Sequence, residues 1–224
     1  MGLEAAKFTP KEKIIVISGR TVAKLENAVN ELKELGFEAY AHACDTSKRE
    51  SVKELAEYCA SLGEIKNVIN AAGVSPAMKG TQESILRINA LGTVYVNQEF
   101  SKVMSKGSVI VDISSNSAYV LPSFLINKKV YALAETDEAT FLKKLVKKSN
   151  LAKGEYQRKG FAYSLSLQEL CRMVCTKMCL RIWQKRHKSR FFEPGTYRNR
   201  YGQPRKERGR NANSFLLRRK NGYA

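Results

Sequence analysis

The chain has 224 residues, 43% of them hydrophobic, and its 39 lysines and arginines outnumber 21 aspartates and glutamates for a formal charge of +18. That length suits one domain with a sizeable core; no apolar run reaches the roughly 18 residues a membrane span needs, and no secretory apolar segment follows Met1. Five cysteines, an odd number, argue against a closed disulfide framework and for a reducing cytoplasm.

The charge is unevenly spread. Positions 167–224 hold 16 Lys/Arg and 3 Asp/Glu, a balance of +13, which leaves 23 and 18, or +5, for residues 1–166. In chain order, residues 13–18 (KIIVIS) predict a strand and residues 21–35 a helix with Val22, Leu25, Val29 and Leu32 along one face. Gly36 supplies the helix stop. A second strand is expected over 37–42, then a helix over 51–62 opened by the polar stretch 45–47. A third strand begins at 68–71, a long helix covers 82–104, and residues 108–113 (SVIVDI) form a fourth strand. Continuous apolar strands joined by helices predict a parallel sheet covered on both faces, an α/β doubly wound architecture.

Residues 119–156 break that rhythm. Residues 133–148 look helical with acidic and basic positions alternating, which predicts an inserted surface element rather than a second domain. Lys143, Lys144, Lys147 and Lys148 then form a solvated face rather than a phosphate site. Another helix starts over 160–166. Beyond Ser166 the periodicity dissolves, and 167–224 is expected to be a basic, irregular tail.

The residues that bear chemistry sit at the ends of these elements. Asn70-Ala71-Ala72-Gly73 follows the third strand, Asp45 follows the second, Asn89 lies inside the long helix, Ser115 stands in ISSNSA after the fourth strand, and Tyr163 stands in AYSLS. Singly each is a weak signal; in this order the chain resembles the short-chain dehydrogenase/reductase family over nearly all of residues 1–166. The resemblance implies a Rossmann-like, NAD(P)-binding domain. It implies that Asn70, Ala71 and Gly73 line the cofactor site, that Asp45 contacts the adenine ring, and that Asn89 is the structural and proton-relay asparagine. It further implies Ser115 as the catalytic serine that holds the substrate oxygen, and Tyr163 as the catalytic acid/base. Its substrates would be small ketones and secondary alcohols, and the intact relative would be an oligomer. The chemistry explains the set. Carbonyl reduction needs a proton donor tuned toward neutrality; a tyrosine phenol, ordinarily near pKa 10, reaches that beside an ammonium and the cofactor's charge, while the nicotinamide performs the redox step. Arg20, after VISG, sits where the family reads the adenosine ribose. An arginine there pairs with the 2′-phosphate of NADP, whereas an acidic residue would accept the 2′-OH of NAD, so NADP is expected, with NAD as the alternative.

Two departures from the family pattern carry their own expectations. The family opens on a strand and a T-G-x-x-x-G-[hydrophobic]-G turn, whose glycines let the backbone approach a pyrophosphate. This chain opens MGLEAAKF, resembling the end of that motif, with Gly2 as its last glycine. A truncated front is expected, lacking the first strand. In the family's order, 3-2-1-4-5-6-7, that strand lies between the 13–18 and 68–71 strands, which then lose a shared partner. At the back, the lysine four residues after the family tyrosine is replaced by Leu167. One codon choice for residues 168–179, shifted by one base, reads KNFVVWYAQKC and restores that lysine; the same frame over 182–202 can give YGKKGIRVVSLSPGPTGTDMG, which resembles the family's next strand and P-G loop. A frameshift after Ser166 is therefore expected, with activity impaired or lost. Cys171, Cys175 and Cys179 fit no usual zinc spacing, so no metal is expected. The competing function is a noncatalytic protein whose basic residues 181–220 bind nucleic acid nonspecifically.

Overall fold

A computed structural model describes residues 2–115 and 127–168. All of them lie in the first of the chain's two units, Met1–Lys188; the second, Ser189–Ala224, lies outside the described residues. The basic tail beyond residue 168, its three cysteines and the positions 116–126 therefore carry no structural statement.

The elements follow the local chemistry in chain order. A short helix, α1 (Gly2–Ala6), precedes strand β1 (Ile14–Gly19) and helix α2 (Val22–Glu34). Helix α2 buries Leu25, Ala28, Val29 and Leu32, one face at helical spacing, while Val22 in its first turn stands in solvent. It ends before Gly36, whose φ of 82° only glycine adopts at no steric cost. Strand β2 (Glu38–Ala43), helix α3 (Arg49–Leu62) and strand β3 (Asn67–Asn70) come next. The expected long helix is interrupted. Helix α4 (Gln82–Leu86) opens on a Thr81–Ser84 capping box, a π turn spans Arg87–Leu91, and α5 (Gly92–Val103) continues. Strand β4 (Val109–Asp112), α6 (Lys128–Ala132), a 3-10 turn (Leu133–Glu135), α7 (Glu138–Ser149) and α8 (Glu155–Gln168) complete the described chain.

Both strand pairs are parallel. Strand β1 pairs with β2 from Ile14↔Glu38 to Gly19↔Ala43, and β3 pairs with β4 from Asn67↔Val109 to Asn70↔Asp112. Among the described residues no ladder joins the two pairs. Each of the four strands thus has one ladder partner among the described residues.

Strand β1 is covered on both faces. Ile15 and Ile17 join Ala6, Val29, Leu32, Phe37 and Ala39 in a small core under α1 and α2. Val16, pointing the other way, packs on a larger core that includes Leu55, Leu91, Phe100, Phe141 and Leu165, from α3 through α8. That alternation is the doubly wound layering expected from the apolar strand runs.

Residues 133–148 are less superficial than their alternating charges suggest. Lys143, Lys144 and Lys147 face solvent, yet Phe141, Leu142 and Leu145 on the opposite side of α7 are buried in the larger core, beside Tyr131 of α6. The lysines of α7 conceal the three-four apolar spacing of Phe141, Leu142 and Leu145 beneath them. Phe141→Ala is accordingly expected to destabilise the protein by about 3–5 kcal/mol, whereas Lys144→Ala should stay within about 0.5 kcal/mol. Urea denaturation of the two variants checks the contrast.

Two free thiols lie among the described residues, Cys44 and Cys59. Burial pushes Cys59 from 9.0 up to about 11, with the neighbouring Cys44 adding to the rise, and burial raises Cys44 too. A thiol that stays protonated to higher pH in the folded state binds more protons there than in the unfolded chain. Stability is thus fully present below roughly pH 9 and falls as pH rises toward about 11. Urea midpoints near pH 8 and near pH 10.5 should show the loss, and Cys59→Ala should flatten it; a pH-independent midpoint would count against the burial of these thiols.

Candidate active site

The carboxyl ends of β3 and β4 are tied together by one carboxylate. The Asn70 amide donates to Asp112 Oδ1 at 2.8 Å, and the Asn97 amide donates to Asp112 Oδ2 at 2.9 Å. Asn97 Nδ2 also donates to the Thr93 carbonyl at 2.9 Å. Asn70 and Asn97 are both buried, so this network joins β3, β4 and α5 in a region where unmade hydrogen bonds are costly. Neither Asp112 nor Asn97 was singled out from sequence. The readable signal was a stripe of polar residues, Asn89, Thr93 and Asn97, four apart in an otherwise apolar helix.

Past β3 the chain turns through Ala71–Gly73 and is clamped by Asn89. The Asn89 side chain is buried; its Oδ1 accepts from the Val74 N–H at 2.8 Å and its Nδ2 donates to the Val74 carbonyl at 3.0 Å. The Asn89 carbonyl accepts the Thr93 hydroxyl at 2.8 Å. Asn89 occupies the π turn, the one wide turn in this helix, and such turns concentrate at functional positions. Its amide is thus used structurally, holding the loop that carries Gly73. A Cβ added at Gly73 would lie 3.5 Å from Asn89 Oδ1, and one added at Gly2 would lie 3.7 Å from the Ala71 Cβ. The opening residue of α1 therefore sits against the Asn70–Gly73 turn.

Arg20 and Asp45 gather at the ends of the other strand pair. The Gly19↔Ala43 register brings the residues that follow each strand side by side, and the Cys44 N–H donates to the Gly19 carbonyl at 2.9 Å. Burial would raise the Asp45 carboxyl, but the Ser47 hydroxyl at 2.7 Å and N–H at 3.0 Å, with the charges of Arg20 and Lys48, outweigh it and hold the group below its ordinary value. Arg20 itself is exposed. Close by, α5 starts tightly against this loop: a Cβ at Gly92 would come within 3.0 Å of the Thr46 carbonyl oxygen, so only glycine fits there without a shift.

Ser115 is half-buried, three residues beyond the end of β4. Tyr163 is half-buried on α8, the helix that packs on α4 and the π turn. Helix α8 is anchored past Tyr163: the Tyr131 hydroxyl donates to the Leu165 carbonyl at 2.8 Å, and Ser166 Oγ donates to the Tyr163 carbonyl at 2.7 Å. Leu167, where the resemblance calls for lysine, is buried and apolar. All the strand-end residues singled out from sequence thus lie at carboxyl ends of parallel strands, the edge where open α/β sheets bind their ligands. They form two groups, Arg20 with Asp45, and Asn70, Gly73 and Asn89 with Gly2 alongside. No group of three or more His, Cys, Asp or Glu side chains that could hold a metal occurs among the described residues, and no helix among them is long and apolar enough to cross a membrane.

The family model for short chain dehydrogenases matches residues 1–132. The chain belongs to the short-chain dehydrogenase family. It is 32% identical over 142 residues to the short-chain dehydrogenase/reductase bsc3 of Alternaria brassicicola, an alignment covering 63% of this chain and 52% of that protein. It is 32% identical over 131 residues to tropinone reductase-like 3 of Erythroxylum coca, covering 55% and 48% of the two chains. Over 107 residues it is 31% identical to a diacetyl reductase, (S)-acetoin forming, of Staphylococcus epidermidis, covering 43% of this chain and 42% of that one. The chain therefore spans about half the length of the curated relatives it matches. The NAD+-bound xylitol dehydrogenase structure shares the fold, with a TM-score of 0.54 and 17% identity over 81% of this chain and 59% of the other. Short-chain dehydrogenase ancestry accounts for the order of the motifs along the chain and for the parallel strand pairs beneath them.

Proposed function

We propose that this short-chain dehydrogenase interconverts small ketones and secondary alcohols with a nicotinamide nucleotide, at a rate limited by Leu167. The observation that carries the reading is the clamp of Asn89 on the loop after β3, with Ser115 beyond β4 at the same edge and Tyr163 on the helix packed against the π turn. The residues present fit such a nucleotide. Gly2 and Gly73 carry no side chain to stand between a nucleotide and the Asn70–Gly73 turn, and the exposed cation of Arg20, beside Asp45, is placed for a ribose phosphate, which favours NADP over NAD. A bound nicotinamide supplies the two-electron redox chemistry.

The chain's own residues do the rest. The Tyr163 hydroxyl donates a proton to the substrate oxygen on reduction and takes it back on oxidation. The Ser115 hydroxyl donates a hydrogen bond to that same oxygen and fixes it. Asn89, through Val74, keeps the loop on the strand end, and its carbonyl, which already accepts from Thr93, keeps a second lone pair for a water of the proton relay. Leu167 offers no cation to the Tyr163 hydroxyl, so turnover is slow. Reductase names among the relatives, diacetyl reductase and tropinone reductase-like 3, support the carbonyl class.

Deuterium transfer tests the reading. The full chain incubated with 4-deuterated NADPH and 2,3-butanedione should release deuterated product, slowly and in proportion to protein. Absence of label under conditions where a competent family enzyme labels fully would remove the oxidoreductase reading.

A further inference from the structure

A cleft of about 550 Å³ opens between the loop of residues 76–79 and the first turns of α8. That volume is in the range that holds a compact organic molecule. Its wall is chemically mixed in a definite way. Met78 and Tyr156, two of the large apolar side chains most exposed on the described surface, both line it, at 50% and 64% exposure, together with Pro76 and Ala77. Lys79 is exposed on the same wall and has no carboxylate partner among the described residues. The opposite cation, Lys159, is neutralised by Glu155 at 2.7 Å. The net charge presented is therefore the single positive charge of Lys79.

The cleft also has a direction. At 100° per residue, Tyr156, Lys159 and Tyr163 fall within about 60° of one another around α8, so the cleft-lining face of that helix leads toward Tyr163. On the facing side, the 76–79 loop continues from Val74, the residue gripped by Asn89.

We propose that this cleft binds an amphipathic carboxylate, its apolar body against Met78 and Tyr156 and its acid group at Lys79. The inference deepens the oxidoreductase reading and rests on it for one point alone: that the ligand is the substrate, a keto or hydroxy acid with an apolar body whose reacting oxygen reaches toward Tyr163.

The test is direct binding of 2-naphthoate to the full chain, without nicotinamide, followed by ligand-detected NMR. Saturable binding is expected. The uncharged analogue 2-naphthamide should bind about three- to fivefold more weakly, and Lys79→Gln should weaken 2-naphthoate by a similar factor, the scale of one exposed ion pair. Tyr156→Ser should weaken both ligands by about tenfold through lost apolar contact. Both side chains are exposed, so the substitutions leave the fold in place. Because the chain is so basic, Lys33→Gln on α2 serves as the control and should change nothing. Equal loss with Lys33→Gln and Lys79→Gln, or binding indifferent to Tyr156→Ser, would overturn the cleft as the site. As this assay contains no nicotinamide, its failure is read separately from failure of the deuterium transfer.

Discussion

Tyr163→Phe should lower the rate of NADPH-dependent carbonyl reduction by about 100-fold or more, the scale of losing a positioned proton donor. The substitution removes one oxygen from a half-buried side chain and leaves the ring that packs α8. Folding stability should therefore change little, and the effect should fall on kcat with KM nearly unchanged, the mark of an interaction made only in the transition state. The measurement is NADPH consumption under saturating substrate, with a thermal melt alongside. A variant as active as the parent would show that the proton comes from elsewhere. Equal loss of melting temperature and activity would show Tyr163 to be packing alone.

Asp112→Ala should cost on the order of 3 kcal/mol, because it strands the Asn70 and Asn97 amides in buried positions and each unmade bond there costs about 1–3 kcal/mol. For a chain of this size that is a drop of roughly 6–12 °C in melting temperature, read by circular dichroism. Asp112→Asn should lose less, since one oxygen still accepts while the new amine faces a donor. Asn70, which Asp112 holds, opens the turn expected to line the cofactor site, so both variants should also weaken nucleotide binding. If Asp112→Ala melts with the parent, the Asn70–Asp112–Asn97 network does not hold the strand ends.

What sequence could reveal divides by range. The strands β1 to β4 were legible because apolar runs and helical periods are local patterns, and these placed Asn70 on a strand, Asn89 and Tyr163 on helices, and Ser115 just past a strand end. The parallel pairing within β1–β2 and within β3–β4 was legible too, from continuous apolar strand runs joined by helices. The π turn at Arg87–Leu91 was not, since apolar spacing barely changes when one residue is added to a turn. The Asp112 network was hidden for another reason: its partners lie 42 and 15 residues away, and nothing local marks a carboxylate as shared. The burial of Phe141, Leu142 and Leu145 was masked by the lysines between them. Asn89 stood out by its place in the motif order, whereas its grip on Val74 emerged only from the fold.

The proposed hydride chemistry requires a nicotinamide nucleotide docked at the carboxyl edge of these strands. Titration of NADPH into the full chain, followed by nucleotide fluorescence at low and at high salt, tests that most directly. Saturable binding that persists at high salt and weakens when Arg20 is replaced by alanine is the predicted result. Binding that disappears with salt, is matched by RNA, and ignores Arg20→Ala would contradict it and assign the interaction to the chain's basic charge alone.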